Sequence, residues 1–353
     1  MDLVSKEFLI NEKGGSRVKV CYEGKISQHV EKILTENLRS TKELDIEETG
    51  AKNYNFIGNN KKPFWCMNNL GTKAAPKKNK PGNTAGFLLY ETSEGFHFKS
   101  LDTLLGQKKK KSIIYNETAD GVTKRIPAGY DLKALEYSRD NAVNVQGKHM
   151  MGAYSTRAIS FNPFNVEYSE TIFSADTSKS STAGNSKGNQ EELTLAGKSF
   201  WQSNKEFDSE ELNKSFTRTT WNVKDTGTLV GGKTKEQIDK AKDENFELEN
   251  IFNQSIMRYQ QLFGQVNTVV VAGDFSLHAG DAVFIDAPKL EADRKQENWN
   301  EQSGGVYIIS DIAHYISPKE TYTKMNLVRD SLGRKGKSSI NSTERYSIDP
   351  GSL

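Results

Sequence analysis

Apolar positions along the chain follow two different periods, and their order predicts a β-rich protein with a small helical share. From Ser16 to Glu23 the segment SRVKVCYE alternates, with Val18, Val20 and Tyr22 on one side, and reads as a single strand with no partner visible upstream. Past Gly24 the period changes, and Val30, Ile33, Leu34 and Leu38 fall at helical spacing over Ile26 to Leu38. A second helix is predicted from Pro63, a residue suited to a first helical turn, and carries Phe64, Trp65, Met67 and Leu70. Lys73 to Gly82, KAAPKKNKPG, reads as a loop because its two prolines and four lysines leave no regular element. Beyond it a hairpin is predicted that turns at Ser93, Glu94 and Gly95, with Phe87 and Leu89 on one face and Phe96 and Phe98 in the partner strand.

The middle of the chain is patchier. Short strand-like pieces, SIIYN and TRAISF, stand among polar segments between Ser112 and Glu170, and residues 174–190 have the Ser-, Gly- and Asn-rich composition of an exposed loop. Thr234 and Gln237 spell a capping box for a polar helix, and a better-defined helix is expected from about Leu248 to Val266, with Leu248, Phe252, Tyr259, Leu262 and Val266 near one stripe. Four β-branched and aromatic segments close the pattern: TVVVAG, SLHAGDAVFID, GGVYIISDIAHYI and ETYTKMNLVRD, punctuated by Gly273, Gly280 and Gly304–Gly305. Such runs belong to an antiparallel barrel or sandwich and not to a parallel α/β sheet.

Composition narrows the function classes. At 353 residues with a net charge of +2, the chain can bury real cores and offers no global electrostatic case for nucleic acid or an anionic membrane. Lys108 to Lys111 are a local exception, read as a solvated loop more readily than as a phosphate contact. Residues 1–15 lack an apolar signal core, and Cys21 and Cys66 have no metal-spaced neighbour and read as free thiols. His29, His97, His149, His278 and His314 form no metal-spaced pair, and His97 and His314 are expected to be hydrogen-bonded strand residues. Glu191–Glu192 and Glu210–Glu211 sit in polar surroundings that would not raise a carboxyl pKa.

One catalytic spelling is present. Gly227 to Thr234, GTLVGGKT, matches the phosphate-cradling loop G-x-x-x-x-G-K-[ST], with Lys233 as the phosphate lysine. The preceding TRTTWNVKDT is too polar for a central parallel strand, and KEQIDKAKDE has almost no apolar face to dock on a sheet. A magnesium-binding acid would have to be Asp274 or Asp286, both in segments patterned as antiparallel strands. The chain is therefore expected to have no catalytic residue, no cofactor and no metal, with a P-loop nucleotide-binding protein as the alternative.

The ordered set Leu277, Gly280-Asp281, Val283, Gly305, Tyr307, Ile309, His314, Tyr322, Leu327 and Arg329-Asp330 resembles the central baseplate hub subunit of T-even-type contractile-tail bacteriophages, itself related to the hub part of type VI secretion spike proteins. The family-motif positions are Leu277, Gly280, Asp281, Tyr307, His314 and Asp330, and a weaker resemblance runs through Ile26 to Leu38, KPFWCMNNLGTKAA and AGFLLYETSEGFHFKSLDTLL. The resemblance implies an α+β, β-rich fold: a tube-type antiparallel β-barrel, a smaller helix-plus-hairpin domain and an irregular insertion. It divides the chain into 1–24, the last strand of an otherwise missing first tube barrel; 25–111, the helix-plus-hairpin domain; 112–245, barrel strands plus the insertion; 246–332, the helix and strands of the second barrel; and 333–353, a polar tail. The missing strands imply a fragment, a second polypeptide or a shed barrel. The implied role is a non-enzymatic homotrimeric ring in the virion, assembled in the host cytoplasm, linking tail-tube or tube-initiator proteins to the central spike among the baseplate wedge proteins, with another tail-tube-like component as a second alternative. Trp201, Trp221 and Trp299 are candidate interface anchors, and neither a membrane nor a specific nucleic-acid sequence is an expected partner.

Overall fold

A computed structural model of the chain describes residues 4–50, 54–77, 85–115, 126, 129–139, 147, 150–152, 155–163, 166–174, 218–223, 248–262, 265–287 and 305–329. In chain order these carry α1 (Lys6–Glu12), β1 (Cys21–Tyr22), α2 (Ile26–Lys32), β2 (Glu43–Ile46), β3 (Phe56–Ile57), α3 (Pro63–Gly71), β4 (Phe87–Glu91), β5 (Gly95–Ser100) and α4 (Leu101–Gly106). They continue with β6 (Lys111–Ile114), β7 (Leu132–Arg139), β8 (Ser155–Asn162), β9 (Glu167–Ser174), β10 (Arg218–Val223), α5 (Leu248–Leu262), β11 (Gln265–Ala272), β12 (Ala282–Asp286), β13 (Gly305–Ile316) and β14 (Thr321–Arg329). Contacts divide the chain into two interleaved units, one of Met1–Asp102 with Val145–Gln260 and one of Thr103–Asn144 with Gln261–Leu353.

In the first unit the stripe read from the sequence is the core. Val30, Ile33, Leu34 and Leu38 are buried with Met67, Leu70, Phe87, Phe96 and Phe98, and each such side chain contributes about 1.5–3 kcal/mol by leaving water. Helix α2 runs on as a π-helical turn over Ile33–Asn37, and α3 starts on Pro63 at its first turn. The Asn11 side chain, reaching from α1, accepts the orphan Phe64 N–H at 2.9 Å. The hairpin β4–β5 forms as expected and gains β2 beside β5, giving the order β2-β5-β4.

The strand expected over Ser16 to Glu23 shortens to Cys21–Tyr22, which pairs antiparallel with Phe56–Ile57. Asn59 and Asn60 turn into positive φ just beyond β3 and interrupt the ladder, which resumes only as a bridge between Val18 and Lys61. Residues 6–12 carry a helix, and β1 packs into the core of the first unit, so the picture of 1–24 as one terminal barrel strand is revised.

Helix α5 also departs from expectation. It ends at Leu262, Val266 already lies in β11, and the helix joins the first unit instead of the barrel to which 246–332 assigned it. The reason is its polar side chains. Gln254 Oε1 accepts the Ala85 N–H, Ser255 Oγ donates to the Thr72 carbonyl, Arg258 reaches Asp102 at 3.3 Å, and Thr156 of β8 donates to Asn253. Strands β8, β9 and β10 form their own three-stranded sheet, ordered β10-β8-β9, with Thr156, Ala158 and Ser160 buried on one face.

The second unit is a closed six-stranded barrel ordered β11-β14-β13-β12-β6-β7. The four C-terminal strands alternate as read, and Val269, Val271, Leu277, Val283, Ile285, Tyr307, Ile309, Met325 and Leu327 fill the interior. Earlier chain completes it through β6 and β7. The barrel is not wholly antiparallel: β12–β6 and β6–β7 pair parallel. A parallel pair needs a long crossover, which the stretch between Ile114 and Leu132 provides for β6–β7.

Candidate functional site

The family-like residues separate into three environments of the barrel. Leu277 and Tyr307 are core residues with no exposed surface. Gly280 and Asp281 form the turn entering β12. Gly280 has φ +90°, its N–H donates to the Ile309 carbonyl, and the Ile309 N–H donates back to the Asp281 carbonyl. The Asp281 carboxylate accepts the His278 N–H at 2.8 Å and the Lys110 ammonium at 2.8 Å, while Gln107 Nε2 donates to the Gly280 carbonyl at 2.6 Å. His314 lies elsewhere on β13, where its Nδ1 meets the Thr323 hydroxyl at 2.9 Å and its ring tilts against Phe275. Asp330 lies outside the described residues.

The lysine run is tied into this turn. Lys110 pairs with Asp281, Lys111 stands 3.9 Å from Asp274, and Lys109 lies over the Phe284 ring. Asp274 accepts the Ser276 N–H and hydroxyl. Burial pushes its carboxyl up, but Ser276, Lys111 and Lys110 outweigh that and hold it below its ordinary value. Asp286 ends β12 and accepts the Tyr130 hydroxyl. The segment GTLVGGKT and the tryptophans Trp201 and Trp299 lie outside the described residues. Among the described residues no three histidine, cysteine or acidic side chains gather as metal ligands. Cys21 is exposed, whereas Cys66 is buried and its thiol is pushed up to about 11 by burial.

Sequence reasoning passed over a polar end inside the barrel. Strand alternation points Asn267 inward with Val269 and Val271, and Arg329 inward with Met325 and Leu327. Arg139 ends β7 directly opposite Asn267. The Arg329 guanidinium lies 5.0 Å from the centre of the Tyr307 ring. Burial lowers the Arg329 pKa, Tyr307 opposes the shift, and Arg139 adds to it by repulsion. Burial likewise raises the Tyr137 and Tyr307 phenols.

A third feature belongs to the first unit. On the face of β10-β8-β9 opposite Thr156, Ala158 and Ser160, Val223, Phe161 and Tyr168 line up across the sheet in register, and Trp221, two residues along β10 from Val223, stands opposite the buried Ile159. Trp221 keeps 75% of its surface exposed and Tyr168 72%. Phe161 and Val223 are exposed as well, so aromatic and apolar side chains stand together in solvent on this sheet.

The chain matches no family model and no curated protein. Among solved structures it is similar to the tail protein from Neisseria meningitidis MC58, at 10% identity and a TM-score of 0.44, over 89% of this chain and 68% of that one. It is also similar to the 43 kDa tail protein of prophage MuSo2 from Shewanella oneidensis, at 7% identity and a TM-score of 0.41, over 88% of this chain and 67% of that one.

Proposed function

We propose that this protein is a structural, non-catalytic subunit of a contractile phage tail. In this reading it acts as the central hub of the baseplate: a homotrimer that joins tail-tube or tube-initiator proteins to the central spike, inside a cage of wedge proteins. It is assembled in the host cytoplasm and resides in the virion. The observation that carries the reading is the closed barrel. Leu277, the Gly280-Asp281 turn and Tyr307, which resemble the hub family's barrel hairpin and closing strand, fall in one barrel and fix its core and its β12–β13 corner.

A hub works through surfaces and not through a pocket. The aromatic face of β10-β8-β9 supports that mode of action, since it exposes Trp221, Val223 and Tyr168 together. Tryptophan and tyrosine supply large contact area at small entropic cost, which suits a permanent interface.

Sedimentation of the full chain at high concentration tests the reading. A trimer is expected, and Trp221→Ser is expected to weaken it without altering the circular dichroism. A wild-type chain that stays monomeric throughout, with or without spike and tube proteins, refutes it.

A further inference from the structure

The polar end of the barrel has the composition of a binding site. Asn267 has no exposed surface, and its amide approaches the Tyr307 hydroxyl closely enough to lower that phenol against the burial that raises it. Yet neither Nδ2 nor Oδ1 has a partner at hydrogen-bond geometry among the described residues. Burying an amide without partners is costly, and native cores seldom tolerate it. Arg139 is half-buried, and its Nε, also buried, likewise has no such partner among the described residues. Arg329, 7% exposed, brings a second guanidinium close enough to repel the first.

We propose that this end of the barrel is an oxyanion-binding site. An oxyanion seated here accepts from the Arg139 guanidinium and the Asn267 Nδ2, and its negative charge relieves the Arg139–Arg329 repulsion. Arginine suits this role because its planar fork presents paired donors to phosphate or carboxylate oxygens. Two cationic groups in a low-dielectric setting favour an anion over any neutral ligand. Arg139 gives the route in, since it alone of the three reaches the surface appreciably. The same chemistry serves a free phosphate or the carboxylate of an acidic protein side chain, and two probes separate them.

The test titrates the full-length protein with inorganic phosphate or acetate at constant ionic strength, followed by thermal denaturation and, for phosphate, by phosphorus NMR line width. Saturable stabilisation is expected with at least one probe: phosphate alone identifies a phosphate-type ligand, and acetate as effective as phosphate identifies a carboxylate. Arg139→Gln, at a half-exposed strand end, removes charge-assisted hydrogen bonds and is expected to weaken binding by about tenfold or more. Asn267→Leu is expected to raise the melting temperature in anion-free buffer, because it removes the unsatisfied amide, and to weaken the response to the probe. The proposal is overturned if neither anion gives saturable stabilisation beyond matched chloride, or if Arg139→Gln and Asn267→Leu both bind as the wild type does.

Discussion

Tyr259→Phe is a sharp test of how helix α5 holds the first unit together. Strand β4 is the outer strand of β2-β5-β4, so its free side needs partners other than a further strand. The Tyr259 hydroxyl supplies two at Phe87: it accepts the Phe87 N–H at 3.0 Å and donates to the Phe87 carbonyl at 2.6 Å. Burial raises this phenol above its ordinary value despite the opposing Phe87 bond, so it stays a protonated donor at neutral pH. Phenylalanine keeps the ring and deletes the oxygen. Two hydrogen bonds worth about 0.5–1.5 kcal/mol each are lost, and the stranded backbone groups cost about 1–3 kcal/mol each where water cannot reach them. The Tyr259 side chain is only partly buried, so water recovers some of that cost, and we expect about 2–3 kcal/mol. With two units in the chain a single melting curve is not two-state, so amide exchange at Phe87 is the measurement of choice. Exchange there should accelerate by about thirtyfold to 150-fold, since about 1.4 kcal/mol is a factor of ten. Acceleration below about threefold, with the fold intact, would mean that the hydroxyl is not the edge partner of β4.

Other perturbations address the barrel turn and the first core. Asp281→Ala removes the acceptor of the His278 N–H together with the Lys110 ion pair, and should destabilise the barrel by about 1–2 kcal/mol in amide exchange at Ile309. Gly280→Ala forces a Cβ into φ +90° and should cost about 1–2 kcal/mol, with Gly280→Asn milder, in the same assay. His29 is fully buried, and its Nε2 donates to the Tyr54 carbonyl at 2.7 Å. Burial lowers its pKa, partly offset by the bond to the Tyr54 carbonyl. The folded pKa lies below the unfolded one, so its stabilising contribution is complete above about pH 6.5 and is lost as pH falls below that. Urea unfolding of the first unit should weaken between neutral pH and pH 5, and His29→Gln should flatten that slope.

Much of the architecture can be read directly from side-chain periodicity. Pro63 marks the start of α3, Val30, Ile33, Leu34 and Leu38 mark the buried face of α2, and alternation from Val269 to Leu327 marks the barrel interior. What periodicity does not carry is partnership between remote segments. The parallel register of Val283 to Asp286 against Lys111 to Ile114 depends on the long connection between them. The allegiance of α5 is hidden because Asn253, Gln254, Ser255 and Arg258 look like a solvent face, yet are buried where they meet backbone and acid partners. The polar barrel end was legible in principle, since Arg329 keeps the parity of Met325 and Leu327 and Asn267 that of Val269 and Val271. A rule that expects polar residues to face water looks past both.

The chain leaves the first unit after Asp102, builds β6 and β7 of the barrel, and returns at Val145. No single cut can therefore release either unit whole. A fragment ending at residue 144 lacks α5 and the Tyr259 hydroxyl that closes β4, and one beginning there lacks two of the six barrel strands. Limited proteolysis near residue 144 should yield pieces that stay associated under native conditions and separate only in denaturant, since each piece holds an incomplete share of both units.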